Sequence, residues 1–186
     1  MRLIFFLAAI VLLIGCSYQK PIKEAELLQQ EKFVLIDTLS QQLNYSIHKS
    51  DENLTELRLW VKYEVTNFTE MHAIKDLSSG SQLNHYYMWE NIENSFQLDS
   101  AKIVFGNGKT SARNLIEQVY DFEFKELGNQ SDSIASLTGD GVTYYLEIKD
   151  KSYYKRIYYN NPHAYNDVNN KKFISVLSLL ESELSY

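Results

Sequence analysis

"GDGVTYYLEIKDKSYYKRIYYNNP", residues 139–162, is the stretch that decides the fold. It contains two β-rich runs, Val142–Ile148 and Tyr153–Tyr159, separated by the polar turn Lys149-Asp150-Lys151-Ser152. Branched and aromatic side chains pack well on a pleated surface, and two such runs joined by a short polar turn predict a β-hairpin. Asn160-Asn161-Pro162 ends the second run, because proline has no N–H to donate to a ladder. Beyond it, Phe173, Val176, Leu177, Leu180 and Leu184 recur at helical spacing. An amphipathic helix covering one face of the sheet follows from that stripe.

Upstream, "TELRLWVKYEVTNF" (55–68) alternates strictly, with Leu57, Leu59, Val61, Tyr63 and Val65 on one face and Arg58, Trp60, Lys62 and Glu64 on the other. Period 2 predicts a half-buried strand, in which Trp60 is the odd member of the polar face. "NHYYMWENIENSFQL" (84–98) is aromatic-rich and reads as one or two strands between Tyr86 and Leu98. "AKIVFGNGKTS" (101–111) reads as a short strand ending in a glycine turn, after which Ser111 is placed to cap a helix carrying Leu115, Ile116 and Val119. That helix is expected to finish near "YDFEFKEL" (120–127), where Tyr120, Phe122 and Phe124 alternate like a strand. From Lys23 to about Ser40 good helix formers predict a helix over the first half, with "KFVLID" (32–37) open between helix and strand. The sum is an α+β fold: an antiparallel β-sheet with helices packed on one face, including a C-terminal amphipathic helix.

The N-terminus has a different character. Met1-Arg2 is followed by an unbroken apolar run, Leu3–Ile14. A helix needs ~20 apolar residues to cross the hydrocarbon core, whereas the apolar core of a signal peptide is typically ~7–15 residues after a basic start. The run has the length of the second. Leu13-Ile14-Gly15-Cys16 resembles the lipobox of bacterial lipoproteins: an aliphatic residue, a small or aliphatic one, Gly or Ala, then Cys. The resemblance covers residues 1–16 and implies cleavage between Gly15 and Cys16, with lipid carried on the Cys16 thiol. It further implies a leader over 1–15 and a lipidated tether over 16–22. The remainder, 23–186, has a length that usually makes one domain, and with the elements above it is expected to be a single α+β domain. Ser17, rather than Asp, follows the cysteine, which in this family favours the outer membrane over retention at the inner one. The expected location is therefore the cell envelope, lipid-anchored at the outer membrane and facing the periplasm.

Cys16 is the one cysteine in the chain. Once it carries lipid, the mature domain has no internal disulfide, catalytic thiol, cysteine-based zinc site or iron–sulfur cluster. Loss of Arg2 with the leader makes the mature chain one unit more negative than the −6 of the whole. The basic residues are scattered, with short pairs such as Lys155-Arg156 and Lys171-Lys172. A nucleic-acid partner needs a clustered basic face, so none is expected. With two prolines and seven glycines, the chain does not have the composition of a disordered stalk.

Motifs for chemistry are sparse. "GNGKTS" (106–111) has Ile103 where a P-loop needs its first glycine, so it reads as a turn. His48, His72, His85 and His163 show no zinc-ligand spacing. His163 with Asp167 in the "NNPHAYND" loop is the nearest approach to a metal or acid–base pair. No Gly-x-Ser-x-Gly elbow exists, and Ser78-Ser79-Gly80-Ser81 reads as a flexible loop. No catalytic residue, metal or cofactor is assigned. The aromatics are what remains, Tyr86, Tyr87 and Trp89 in one cluster and six tyrosines in the 144–159 hairpin. Exposed rings give large contact area at small entropic cost, while cross-strand tyrosine pairs merely stabilise a hairpin. Tyr145, Tyr154, Tyr158 and Trp89 are the candidate binding surface. The leading expectation is a non-enzymatic lipoprotein that binds another envelope protein or a glycan. The alternatives are an immunity or inhibitor lipoprotein neutralising a toxin or cell-wall hydrolase, its acidity steering a basic target, and an envelope polymer hydrolase.

Overall fold

Six residues in a row, Glu56 to Val61, are buried on the first strand, so the stretch that alternates in sequence is withdrawn from solvent on both sides. The expectation of a half-buried strand is corrected here. The structure, a computed structural model, describes residues 30–45, 54–90, 96–106, 111–130, 141–150 and 153–184. Gly15, Cys16, the tether and residues 107–110 of the glycine turn lie outside the described residues. The chain divides into two compact units, one ending at Asn44 and the other Tyr45–Tyr186. The first contains a helix over 30–42, α1, with Phe33, Ile36 and Leu39 buried along one stripe. "KFVLID" is thus helical: its buried residues Phe33 and Ile36, with Leu39 beyond, fall at spacings of three, which a strand cannot gather on one side.

The second unit is built on a six-stranded antiparallel sheet with strand order β4-β3-β2-β1-β5-β6. The strands are β1 Glu56–Tyr63, β2 Phe68–Leu77, β3 Gly80–Glu90, β4 Phe96–Gly106, β5 Val142–Asp150 and β6 Tyr153–Asn160. The hairpin expected in 139–162 is β5–β6, with Tyr145 opposite Tyr158 and Leu146 opposite Ile157. Of the one or two strands expected between Tyr86 and Leu98 there are two, the end of β3 and the start of β4. Ser78-Ser79 form a two-residue turn between β2 and β3 rather than a flexible loop, and Gly80 just after it has φ 125°. An L-residue side chain disfavours that backbone, which explains the glycine.

Helix α2 (Ala112–Asp121) and helix α3 (Val168–Leu184) lie on the same face of the sheet. Ala112, Leu115, Ile116 and Val119 of α2, with Phe173, Val176, Leu177 and Leu180 of α3, bury against Leu57, Leu59, Ile74, Leu146, Ile148, Ile157 and Tyr159. Each large apolar side chain buried this way contributes roughly 1.5–3 kcal/mol, which makes this layer the main core. Among the described residues no helix is long and apolar enough to cross a membrane.

The starts of both helices are fixed by polar caps. Ser111 Oγ accepts the Asn114 N–H at 3.1 Å, as expected for a cap. Asp76, from the end of β2, accepts the N–H groups of Ala112 and Arg113 at 2.7 and 3.0 Å and the Ser81 hydroxyl at 2.9 Å. One carboxylate therefore ties the β2–β3 turn to the first turn of α2. Asp167 accepts the N–H groups of Asn169 and Asn170 at 3.0 Å at the start of α3. Its slight burial alone would raise its pKa, but these donors outweigh that and hold the carboxyl below its ordinary range. After α2 the chain turns over 122–126 and runs along the outer edge of β6. There Asn129 Oδ1 accepts the Tyr158 N–H, Gln130 N–H donates to Tyr158 O, and Gln130 Oε1 accepts the Asn160 N–H.

Candidate functional site

The face of the sheet that carries α2 and α3 is set by the odd-numbered residues of β1. Register places Tyr63 opposite Phe68 and Phe68 opposite Trp89, so three strands contribute one aromatic row. The Tyr63 and Phe68 rings are stacked with centroids 5.9 Å apart, and Trp89 lies 4.6 Å from Phe68. Tyr87 stacks on the other flank of Phe68 at 6.1 Å. Trp89 is 45% exposed, while Tyr63, Phe68 and Tyr87 are half-buried. Stacked rings of this kind form a shelf that presents apolar surface at little entropic cost.

One step inward, polar residues take over. Glu70 and His72 on β2 join Leu59, Val61 and Tyr63 of β1, Tyr144 of β5 and Glu181 of α3 around a cavity of about 210 Å³. His72 Nε2 lies 3.1 Å from Glu70 Oε2, and His72 Nδ1 lies 2.5 Å from Nδ1 of His85, its cross-strand partner. A carboxylate can only accept, so with His72 neutral its Nε2–H donates to Glu70 and its Nδ1 lone pair takes the Nδ1–H of His85. Burial holds the His85 pKa down to about 4, assisted by His72 and Lys102 and opposed by Glu70. His85 therefore stays neutral at neutral pH and fixes the tautomer of His72.

Tyr63 stands beside Glu70. Its pKa is pushed up to about 12, first by burial and then by the Glu70 charge. Burial also raises Tyr144, and the Glu181 carboxylate adds to the rise. Both phenols keep their protons. Among the described residues no lysine or arginine lines the cavity, so its two carboxylates set the sign of its potential. Both ring nitrogens of His72 are engaged, one with Glu70 and the other with His85. Among the described residues no group of three or more His, Cys, Asp or Glu is arranged to hold a metal.

The four aromatic residues singled out in sequence do not share one surface. Trp89 stands on the shelf described above. Tyr145, Tyr154 and Tyr158 lie on the opposite face, with Trp60 and Arg58. Tyr145 is 5% exposed and its ring sits 5.4 Å from that of Tyr158, a cross-strand pair. Tyr154 donates its hydroxyl to Glu147 Oε1 at 2.9 Å. That opposite face holds a buried polar network. Arg58 Nε donates to Glu56 Oε1 at 2.8 Å, its Nη1 donates to Tyr45 O at 2.8 Å, and its guanidinium lies 4.4 Å from the centre of the Tyr45 ring. Trp60 Nε1 donates to Glu147 Oε2 at 2.9 Å, which accounts for a tryptophan among charged neighbours.

His163 is exposed, and the Asp167 carboxylate is committed to capping α3. Sequence reasoning missed Tyr63, Phe68, Glu70, His72, His85, Tyr144 and Glu181 as a group. The one available signal was the alternation Phe68-x-Glu70-x-His72, which places all three on one side of a strand. No protein-family model matches the chain, and no curated protein matches it either.

Proposed function

We propose that this chain is a lipid-anchored, non-enzymatic binding module of the bacterial cell envelope, held by lipid on Cys16 at the outer membrane and facing the periplasm. Its ligand site is the aromatic shelf of Tyr63, Phe68 and Trp89 with the adjoining Glu70–Glu181 cavity. The anchor half rests on the lipobox resemblance of Leu13-Ile14-Gly15-Cys16. The binding half rests on one observation above the others: a prearranged row of rings, half-buried at Tyr63 and Phe68 and exposed at Trp89, bordering a concave cavity that holds two carboxylates. Binding sites join apolar wall to a few placed polar groups in this way.

Crosslinked capture from the native membranes tests both halves, with Cys16→Ala and Trp89→Ala beside the wild type. Intact mass should report cleavage before Cys16 and added lipid, both lost in Cys16→Ala. Trp89→Ala should keep the lipid and lose the captured partner. An unlipidated wild-type chain overturns the anchor, and undiminished capture by Trp89→Ala overturns the site.

A further inference from the structure

With His72 neutral, its Nε2–H is directed at Glu70, and the Tyr144 hydroxyl is a donor on the cavity wall. Apart from that hydroxyl, what the walls offer a guest is acceptor capacity and negative charge, from Glu70 on the sheet and Glu181 on α3, with no lysine or arginine among the described lining residues to neutralise them. A guest that brings donors and positive charge completes such a site, whereas an anion or a carboxylate is repelled. The aromatic lining adds to the preference, since ring faces attract ammonium groups.

Size narrows the class further. A cavity of about 210 Å³ falls below the ~300–1,000 Å³ of drug-sized pockets, a space for one extended side chain. The shelf of Phe68 and Trp89 lies outside it, where it contacts whatever body carries that chain. We propose that the cavity accepts the primary ammonium of a lysine side chain displayed by a protein partner, with Glu70 and Glu181 as its counter-ions and the aromatic shelf beneath the flanking backbone. This deepens the binding-module reading and rests on it.

The test is an NMR titration of the full chain in detergent micelles, which registers millimolar affinities. Three probes are used: the blocked tripeptide Ac-Ala-Lys-Ala-NH₂, the same peptide acetylated on Nε, and n-butylamine. The lysine peptide should bind about tenfold or more tightly than its acetylated form, and Glu181→Gln should weaken it by about tenfold, the usual scale for one charge-assisted hydrogen bond. Glu181 is exposed on α3, so this variant keeps the fold, and Glu70→Gln is read only where its amide spectrum matches the wild type. Trp89→Ala should weaken the peptide and leave n-butylamine unchanged.

Equal binding of the two peptides, or a lysine peptide unaffected by Glu181→Gln, overturns the proposal. Tighter binding of n-butylamine than of the peptide overturns the displayed-lysine form of it, because the shelf then adds nothing. If the peptides fail while Trp89→Ala still abolishes membrane capture, the ligand class is wrong and the binding module stands. If capture survives Trp89→Ala, the shelf-and-cavity site on which this proposal rests has failed.

Discussion

Arg58 is 1% exposed, as is Glu56, and Glu147 is 2% exposed. Burying ions is costly, and such a group is tolerated because each charge has hydrogen-bonding partners. Arg58→Ala removes the cation that is hydrogen-bonded to Glu56 and lies 3.9 Å from Glu147, and should lower unfolding free energy by about 3–5 kcal/mol, measured by urea denaturation. A loss under ~1 kcal/mol would mean that the network is wetter than its burial indicates. His85 makes a second prediction. Its unfolded pKa of 6.5 falls to about 4 in the fold, so between those values the unfolded chain holds the extra proton. Stability contributed by the neutral imidazole is complete above about pH 6.5 and is lost as pH falls toward about 4. The groups facing it are His72 and Glu70 on β2 and Lys102 on β4. His85→Asn should flatten the slope of stability against pH in this window by up to about one proton, by thermal melts at stepped pH. At this scale sequence reads poorly. Trp60 looks misplaced until Glu147 is set beside it by pairing of β1 with β5, and that pairing is written nowhere near residue 60.

Elements were more legible where one principle dominated. The β5–β6 hairpin, the Ser111 cap and the stripes of α2 and α3 all emerge from local spacing, since turn chemistry and an amphipathic period are local properties. The side chain of Leu184, the last member of the α3 stripe, lies outside the described residues. β2 escaped notice because its two sides, Phe68-Glu70-His72-Ile74 and Thr69-Met71-Ala73-Lys75, both mix polar with apolar residues, and so its alternation is blurred. Its far end nevertheless holds the joint between layers. Asp76→Ala removes three acceptor contacts that tie β2 and Ser81 to the start of α2. A loss of about 1–2 kcal/mol is expected, the upper range for a cap. Hydrogen exchange should localise it, with faster exchange at Ala112 and Arg113 and little change at Ile157. Uniform acceleration across the sheet would instead mean that α2 and the sheet open as one unit.

For the whole molecule, fold class was readable because apolar periodicity and short turns specify an antiparallel sheet with helices without knowledge of strand order. The candidate site was not, because it depends on strand order: Tyr63, Phe68 and Trp89 become a row through register across three strands, and Glu181 joins them from the C-terminal helix, far along the chain. The same order has a consequence in time. β1 to β4 pair successively through turns close in sequence, while Tyr63 must also find Val142 on β5. Closing that long loop costs entropy before any contact offsets it, and non-local pairing is what slows folding. The β1–β5 seam should therefore be the last to close and the β2–β3 hairpin among the first. In stopped-flow experiments Met71→Ala, on β2, should mainly slow refolding, whereas Leu146→Ala, on β5, should mainly speed unfolding. If Leu146→Ala instead carries the refolding effect, the seam is the nucleus. A seam that closes last puts the cavity among the last features to form, since its walls come from both sides of it: Tyr144 from β5, and Tyr63 and Glu70 from the meander. Ligand competence would then be a late kinetic event, trailing most of the recovery of β-sheet signal.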